Sequence, residues 1–363
     1  MNTFGKTIGL TIFGESHGLS IGAVLDGLPS GEAIDWDAVR TEMARRAPGK
    51  NKMSTARSEK DAFEVQSGFF NGHTTGTPLC AIIRNSDQHS RDYDQLRHIM
   101  RPGHADYSGK IRYGGFNDYR GGGHFSGRLT APLVFAGAVA SQILARHGIT
   151  VGSHILRLAG IADKPFDAAG ETAETLQALK KETLPVLDKA QAGPMEEKIL
   201  EAKNDLDSVG GVIECMVTGL PAGIGDPFFD SVESQLSHMM FSVPAVKGIE
   251  FGDGFALADL RGSQANDAFY YDGDVVKTRT NHNGGINGGI TNGMPVVFRL
   301  AVKPTASISQ KQETIDTDTK ENCDLVIKGR HDPCIVQRAI PVVEAAAAWA
   351  ILDVCLSEKG RCW

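Results

Sequence analysis

The sequence predicts an α+β fold in which two mainly antiparallel sheets enclose a central layer of apolar helices, as a β-α-β sandwich. Three observations lead to this prediction: two long apolar helical segments, many short strands of alternating polarity, and an internal repeat. Short alternating strands joined by tight turns are typical of antiparallel sheets, whereas a doubly wound parallel sheet needs regular alternation of strands and helices. We therefore expect a sheet on each face of the helical layer.

The two apolar segments require burial on every side. Residues 131–145 carry no charge, and residues 341–354 carry only Glu344 and Asp353. A helix that is apolar all round has no face suited to water. Pro132 and Pro341 stand at the predicted helix starts, where the first turn tolerates a missing N–H. These segments form the predicted central layer.

An internal repeat relates the two halves of the chain. Three landmarks recur in the same order: a strand ending in Gly-Leu-Pro-x-Gly, a second strand preceded by a glycine-rich turn, and an apolar helix opened by an arginine and a proline. They fall at 21–31, 71–83 and 128–145 in the first half, and at 213–223, 287–302 and 338–354 in the second. Because such turn signals are common, chance similarity is the competing explanation.

We expect a single domain over 1–363. Its repeat halves span about 1–150 and 207–356, and a peripheral helical insertion spans about 164–206. The insertion is rich in Ala, Glu, Lys and Leu, and its charges are spread around the predicted helices, as is usual for surface helices.

Composition excludes several classes of protein. The 37 basic and 44 acidic residues give a formal charge of −7, so no overall positive field would hold nucleic acid or an anionic membrane. We expect no apolar run near the roughly 18 residues of a membrane span and no export signal, hence a cytoplasmic protein. Six scattered cysteines without a Cys-x-x-Cys pattern predict reduced thiols and no metal site.

The first segment suited to chemistry is Gly-Glu-Ser-His-Gly at 14–18, which matches the Gly-x-Ser-x-Gly nucleophile elbow of serine hydrolases. That elbow lies between a buried strand and a helix, whereas 7–13 and 19–25 both read as strands. The alternative is a tight turn that presents Ser16 and His17 at the end of a strand, where the imidazole can donate a proton. The sequence favours this turn over the hydrolase.

A second segment is basic. Between Glu42 and Glu59 there are five basic residues and no acidic one: Arg45, Arg46, Lys50, Lys52 and Arg57. Pro48 and Gly49 interrupt the preceding helix, which predicts a loop able to close over a phosphate or carboxylate. A solvated basic surface is the alternative interpretation.

A third region combines glycines with polar groups. Residues 101–106 place Arg101, His104 and Asp106 on one Pro-Gly turn, and the glycine-rich stretch 119–128 ends where the first apolar helix begins. Free N–H groups and the positive end of the helix dipole beside Arg128 predict an anion site. Neither a Walker loop nor Gly-x-Gly-x-x-Gly is present, so a flavin phosphate or a small phosphorylated acid fits better than a nucleoside triphosphate.

Two late motifs add cations, hydroxyls and a carboxylate. Residues 303–307 read Lys-Pro-Thr-Ala-Ser, and residues 329–334 read Gly-Arg-His-Asp-Pro-Cys. Asp332 beside Arg330 suits a structural ion pair, but positive neighbours also favour the ionised carboxylate that a general base requires. Both interpretations stay open on spacing alone.

Together, the motifs at 14–18, 101–106, 119–128, 303–305 and 329–333 resemble the motif set of the chorismate synthase family, and the resemblance extends from about Phe4 to Leu352. It implies a β-α-β sandwich with internal pseudo-twofold symmetry, usually a homotetramer. It also implies a lyase of the shikimate pathway of aromatic amino-acid biosynthesis, which eliminates phosphate from 5-enolpyruvylshikimate 3-phosphate by an anti-1,4 route to give chorismate. Reduced FMN is required although the reaction is redox-neutral.

The resemblance assigns roles to particular residues. His17 is similar to the histidine that protonates the departing phosphate, His104 to the one that protonates reduced flavin, and Asp332 to the aspartate that works with flavin N5 to remove the C6 proton. The implied substrate-binding residues are Ser16, Arg46, Lys52, Arg101, Arg128 and Arg330. The implied cofactor-binding residues are His124, Phe125, Ser126, Gly127, Gly288, Lys303, Pro304, Thr305, Ala306, Ser307 and Arg330.

The sequence departs from the family's usual pattern at Lys52, His124, Phe125 and Leu129, so contacts near the flavin are where we expect differences. No segment resembles a nicotinamide-binding unit. We therefore expect an external flavin reductase to reduce the FMN, with NADPH serving only as a reductant. A non-catalytic flavin- or phosphosugar-binding protein is a further alternative. The presence of both histidines and Asp332 argues against it.

Overall fold

Two antiparallel sheets form the outer layers of the protein. The computed structural model describes residues 1–49, 52–53, 59–86, 96–327 and 331–357. Within these residues each large sheet has five strands, and further strands pair as two-stranded hairpins. In chain order the strands are β1 (Thr3–Phe4), β2 (Gly9–Gly14), β3 (Ser20–Asp26), β4 (Phe63–Ser67), β5 (Phe69–Phe70), β6 (His73–Thr74), β7 (Leu79–Arg84), β8 (Thr150–Leu158), β9 (Ile161–Ala162), β10 (Gly211–Thr218), β11 (Val246–Phe251), β12 (Phe269–Asp272), β13 (Val275–Thr278), β14 (Ile286–Asn287), β15 (Ile290–Thr291), β16 (Val296–Val302), β17 (Gln312–Asp316) and β18 (Glu321–Leu325).

Helices fill the space between the sheets and cover parts of the surface. They are α1 (Trp36–Arg46), α2 (Asp106–Arg112), α3 (Thr130–Arg146), α4 (Ala173–Leu179), α5 (Ala192–Asn204), α6 (Val232–Ser242), α7 (Gly262–Ala265) and α8 (Val336–Ser357). Short 3₁₀ turns lie at 120–125, 127–129, 189–191, 228–230 and 254–259. The turns at 120–125 and 127–129 lead directly into α3.

The two large sheets have matching strand orders. The first is β1-β2-β3-β7-β4 and the second is β9-β8-β10-β16-β11, and every neighbouring pair is antiparallel. The central strands β3 and β10 are the ones that end in the repeated Gly-Leu-Pro-x-Gly turn. The predicted α+β sandwich with an internal repeat is therefore confirmed.

The position of β8 bears on the boundaries of the repeat. This strand belongs to the second sheet but precedes the segment 164–206. We propose that the second repeat starts near Thr150 and that 164–206 is inserted into it. The single-domain organisation over 1–363 stays a prediction.

Helices α3 and α8 form the central layer. They pack against each other, α3 also contacts β3 of the first sheet, and α8 contacts β8 and β10 of the second. A Cβ at Gly137 would lie 2.2 Å from the Cα of Ala345, so a glycine is needed where the helices cross. Helix α8 starts at Val336, so the prediction that Pro341 opens it is wrong: the proline lies inside the helix, where it removes one backbone hydrogen bond.

The two charges in α8 are satisfied by defined partners. The Asp353 carboxylate accepts from the backbone N–H groups of Thr7 at 2.8 Å and Ile8 at 2.9 Å. The Glu344 carboxylate accepts from the Ser153 hydroxyl at 3.0 Å and pairs with Arg45. Because each buried carboxylate is hydrogen-bonded, the helix can stay in the core at an acceptable desolvation cost.

Two segments are long and apolar enough to cross a membrane by length and composition, Gly127–Arg146 and Val336–Ser357. The prediction that no apolar segment approaches this length is therefore wrong. Both segments are mostly buried inside the protein. The two sheets and the neighbouring helices cover their apolar surfaces, as in the core helices of a layered fold.

The segment 164–206 packs on the outer side of the second sheet through a small apolar cluster. Beneath it lies a buried polar group that we call the His154 cluster, formed by His154, Asp163, Glu214 and Arg299. The imidazole of His154 contacts Asp163 through Nδ1 at 3.1 Å and Glu214 through Nε2 at 2.9 Å. Arg299 donates to the second oxygen of Glu214 at 2.9 Å.

The described cysteines are all free thiols: Cys80, Cys215, Cys323, Cys334 and Cys355. Burial raises the pKa of Cys334 to about 12, so the thiol stays protonated near neutral pH. These thiols fit the predicted reduced state. Cys362 lies outside the described residues.

Candidate active site

A cavity of about 820 Å³ is lined by the N-terminal end of α3, the start of α8 and several loops. Its walls come from segments more than 300 residues apart in the sequence. The sequence-predicted site residues that line it are Arg46, Arg101, His104, His124, Phe125, Ser126, Gly127, Arg128, Lys303, Pro304, Thr305, Ala306, Ser307 and Asp332. The fold therefore brings most of the predicted residues to one place.

Ser16 and His17 lie directly behind the cavity wall. Gly121 lines the cavity with a φ of +59°, and a Cβ added to it would lie 2.5 Å from His17 Cδ2 and 3.0 Å from Ser16 Oγ. Both side chains are buried. One glycine thus separates His17 from the cavity.

The turn that carries Ser16 joins two antiparallel strands, β2 and β3. A nucleophile elbow needs a strand followed by a helix and an exposed serine. The hydrolase alternative is wrong for this chain, because no helix follows the turn and Ser16 is completely buried.

The structure places three of the predicted residues elsewhere or leaves them undescribed. Lys52 is exposed, and its Nζ lies 2.8 Å from Glu196 Oε1 of α5. Gly288 lies in the turn between β14 and β15 and is not among the described residues that line the cavity. Arg330 lies outside the described residues. Their assigned roles stay predictions.

Arg101, His104 and Asp106 form a tight network at the cavity wall. Asp106 accepts hydrogen bonds from Arg101 Nε at 2.7 Å and Nη2 at 2.8 Å, and its Oδ1 lies 2.6 Å from His104 Nδ1. Burial alone would raise the pKa of Asp106, but hydrogen bonds from Arg101 and His104 hold it well below its usual range. The carboxylate is therefore ionised throughout the neutral pH range.

Arg46 and Arg128 are held by two buried carboxylates that the sequence analysis missed. Asp61 pairs with both arginines, and Glu59 Oε2 lies 2.6 Å from Arg128 Nε. Burial by itself raises the pKa of Asp61, but the two guanidinium groups lower it overall. Arg46 is thus the buried last residue of α1 and not part of a freely closing loop. The sequence gives no sign of this ion pair, because Asp61 and Arg128 are 67 residues apart in the chain.

The N-terminal end of α3 opens toward the cavity. Ser126 Oγ accepts from the backbone N–H of Arg128 at 3.3 Å and starts the 3₁₀ turn that continues into the helix. A Cβ added to Gly127 would meet no atom of the described residues within 4 Å. This open backbone, with the positive end of the helix behind it, suits an anion.

His124 and Phe125 contact protein groups as well as the cavity. His124 Nδ1 lies 2.8 Å from the backbone oxygen of Gly14. Phe125 packs so closely on Gly109 that a Cβ there would come within 2.6 Å of its ring. Both side chains therefore help to build the wall at the positions where the sequence departs from the family pattern.

The segment 303–307 forms another wall. Lys303 Nζ donates to the backbone oxygen of Gly103 at 2.7 Å, and Ser307 Oγ accepts from Arg101 Nη1 at 3.1 Å. The buried hydroxyl of Thr305 has no hydrogen-bond partner among the described residues. An unsatisfied buried hydroxyl in a cavity wall is suited to a polar ligand.

Asp332 is fixed by an arginine that the sequence analysis did not assign to the site. Arg338, in the first turn of α8, donates to Asp332 Oδ2 through Nη1 and to the backbone oxygen of Arg46 through Nε at 3.1 Å. Arg338 is the repeat counterpart of Arg128, so each central helix carries an arginine at its cavity end. The internal repeat, which aligns Arg338 with Arg128, is the sequence feature that could have predicted this role for Arg338.

His331 is a further cavity residue that the sequence analysis left unassigned. Its Nε2 is buried and has no hydrogen-bond partner among the described residues. Burial lowers the pKa of His331, and the nearby charge of Arg101 lowers it further. The imidazole is therefore neutral at neutral pH.

The fold and this cavity define an α+β sandwich protein whose two repeats share a cavity lined by histidines and arginines. The family model described as chorismate synthase matches residues 8–356. The chain belongs to the chorismate synthase family.

Curated relatives match over almost the whole chain. A chorismate synthase of Dehalococcoides mccartyi (strain BAV1) is 45% identical over 355 residues, covering 98% of this chain and 96% of the relative. One of Chitinophaga pinensis is 46% identical over 360 residues, covering 99% and 98%. A solved structure titled "Crystal Structure of Chorismate Synthase" has a TM-score of 0.77 at 28% identity, covering 99% of this chain and 95% of that one.

Proposed function

We propose that this chain is a lyase that eliminates phosphate from 5-enolpyruvylshikimate 3-phosphate by an anti-1,4 route to give chorismate, with reduced FMN as cofactor. The observation that carries the proposal is the shared cavity: His104 and Asp332 line it, and His17 lies one glycine behind it. A proton donor for the leaving group and an acceptor for the substrate proton are the groups that this elimination requires.

The cavity fits a flavin and a small anionic substrate. Its volume of about 820 Å³ lies within the usual range for ligand sites, roughly 300–1,000 Å³. Ser126, Gly127 and the segment 303–307 would hold the cofactor, because they offer an open helix end, Lys303 and the unsatisfied Thr305 hydroxyl. When bound, reduced FMN supplies an electron-rich ring that stabilises charge developing on the substrate.

The chain's own residues orient the substrate and move protons. Arg46, Arg101 and Arg128 offer N–H donors to the anionic substrate, and the paired carboxylates, which offset their charge, hold these guanidinium groups in place. His17 donates a proton to the departing phosphate, which lowers the energy of the leaving group. Asp332, oriented by Arg338, accepts the C6 proton. His104 donates a proton from the cavity wall toward the cofactor.

The cellular setting follows from the same assignment. We propose a cytoplasmic homotetramer of the shikimate pathway that receives reduced FMN from an external flavin reductase, with NADPH acting only as the reductant. The small-molecule substrate enters the cavity from solution. Neither nucleic acid nor a membrane is a proposed partner.

An anaerobic assay tests this function. The purified chain is mixed with dithionite-reduced FMN and 5-enolpyruvylshikimate 3-phosphate, and chorismate absorbance and free phosphate are followed together. We expect equal amounts of both products, and none when oxidised FMN replaces the reduced form. Absence of phosphate release from a protein that binds reduced FMN would contradict the proposal.

A further inference from the structure

Asp106 has no assigned role in the proposed function, yet its carboxylate makes four contacts with Arg101 and His104. Its side chain is 5% exposed and accepts from Arg101 through the backbone N–H at 3.1 Å, Nε at 2.7 Å and Nη2 at 2.8 Å. It also lies 2.6 Å from His104 Nδ1. One carboxylate therefore joins a cation and an imidazole that both line the cavity.

The contact with His104 determines how that ring presents its two nitrogens. Arg101 Nη2 also lies 3.1 Å from Nδ1, but it already donates to Asp106 at 2.8 Å, and the 2.6 Å contact of Nδ1 with the carboxylate is the shorter one. An ionised carboxylate can only accept a hydrogen bond, so we assign the proton to Nδ1. The opposite side of the ring faces Gly122, where an added Cβ would lie 3.3 Å from both Cε1 and Nε2. His104 itself lines the cavity, and Nε2 is the ring nitrogen left to exchange a proton.

A role in starting α2 does not account for these contacts. Asp106 is the first residue of that helix, yet among the described hydrogen bonds its carboxylate accepts none from the N–H groups of α2. All four bonds go to Arg101 and His104. The geometry is that of a residue that orients a histidine.

We propose that Asp106 is a positioning residue for the reaction: it fixes the tautomer and the ring orientation of His104 and holds Arg101 beside it. This proposal rests on the proposed function of His104 as a proton donor. Carboxylates that orient catalytic or metal-bound imidazoles act in this way in other proteins.

A double-mutant cycle tests whether Asp106 acts through His104. Asp106→Asn keeps the shape of the side chain and removes its charge, and we expect a loss of kcat of about 100-fold, the lower end of general acid–base effects. In a His104→Ala background the same change should cost at least about 10-fold less, because the oriented ring is already gone and only the bonds to Arg101 are still weakened. Equal losses in both backgrounds would overturn the proposal.

A matched control uses an Asp–His pair outside the cavity. Asp253 contacts His282 Nδ1, and neither residue lines the cavity among the described residues. Asp253→Asn should leave kcat within about 2-fold of the wild-type value. If Asp106→Asn does not fold, Asp106→Glu replaces it in the cycle, with an expected loss of about 10-fold that disappears in the His104→Ala background.

A spectroscopic measurement separates this proposal from the proposed function. In ¹⁵N-histidine-labelled full-length protein, the ring signals of His104, assigned by their loss in His104→Gln, should report a protonated Nδ1. Asp106→Asn should shift them toward the other tautomer. This NMR measurement does not depend on turnover. An inactive wild-type protein would therefore refute the proposed function alone, whereas an unchanged tautomer in Asp106→Asn would refute the positioning role.

Discussion

Among the histidines that contact carboxylates, His104 and His154 lie in different surroundings. His104 lies at the cavity wall with its side chain 19% exposed, and one of its ring nitrogens contacts Asp106. His154 lies under the segment 164–206 with its side chain 0% exposed, and both of its ring nitrogens contact carboxylates. A histidine with one ring nitrogen directed to a cavity can transfer protons, whereas one with both nitrogens occupied serves as a bridge.

The His154 cluster connects the insertion to the second sheet. Asp163 accepts from the backbone N–H groups of Leu187 at 2.6 Å and Asp188 at 2.9 Å, and Glu214 accepts from Phe166 N–H at 2.7 Å. Burial by itself lowers the pKa of His154, but its bonds to the two carboxylates raise it overall. The imidazole therefore adds a polar link between segments that the Phe166–Glu214 hydrogen bond and apolar contacts also join.

The largest effect that tests this comparison is on catalysis. His104→Ala removes the cavity imidazole, and we expect kcat to fall by at least about 100-fold while the melting temperature changes little. Anaerobic stopped-flow turnover and thermal unfolding of the same preparation measure both quantities. Wild-type turnover in this variant would remove His104 from the mechanism.

The reverse pattern is expected for the buried histidine. His154→Ala leaves Asp163 and Glu214 without their shared cation, and removing one partner of a buried ion pair costs about 3–5 kcal/mol. Urea unfolding should show this loss in the free energy of unfolding, whereas kcat of the folded fraction should be unchanged. A loss below about 1 kcal/mol would mean that the cluster is not a structural link.

The pH dependence of stability sharpens the same contrast. Because the folded pKa of His154 is raised above its ordinary value of 6.5, its contribution is complete below that value and declines as pH rises through the folded pKa. The lowered pKa values of Asp163 and Glu214 act in the opposite direction, and their contributions are lost only in acid.

Between about pH 6 and about pH 9, the wild-type protein should therefore lose more free energy of unfolding than His154→Gln does. Chemical denaturation at a series of pH values gives both curves. Parallel curves would show that His154 carries no charge-dependent stability.

The smallest effect is expected at an exposed pair. Lys52 is 68% exposed where it contacts Glu196, and such surface pairs contribute less than about 1 kcal/mol. Lys52→Ala should leave the free energy of unfolding within about 0.5 kcal/mol and the substrate KM within about 2-fold. A rise in KM of more than about 10-fold would restore the substrate-binding role that the family resemblance implies for Lys52.

The layered fold could be predicted because its signals are local. A charge-free helix such as 131–145 must be covered on all sides, and a strand that ends in Gly-Leu-Pro-x-Gly is recognisable wherever it recurs. The cavity residues at 101–106, 119–128 and 303–307 were found for the same reason, since each motif is contiguous. Asp61, Glu59 and the partner of Asp332 were missed, because their contacts join segments far apart in the chain.

The kind of element that each segment forms can be read from the chain alone, and so can the residues that carry reactive groups. Periodicity, turn residues and motifs depend on neighbours within a few positions, so they can be recognised without knowledge of the fold. The folded arrangement sets which carboxylate holds which cation. It also places His17 behind Gly121 and makes His154 a bridge while His104 faces a cavity. These properties depend on distance, burial and the direction of a ring nitrogen, which arise when remote segments pack together.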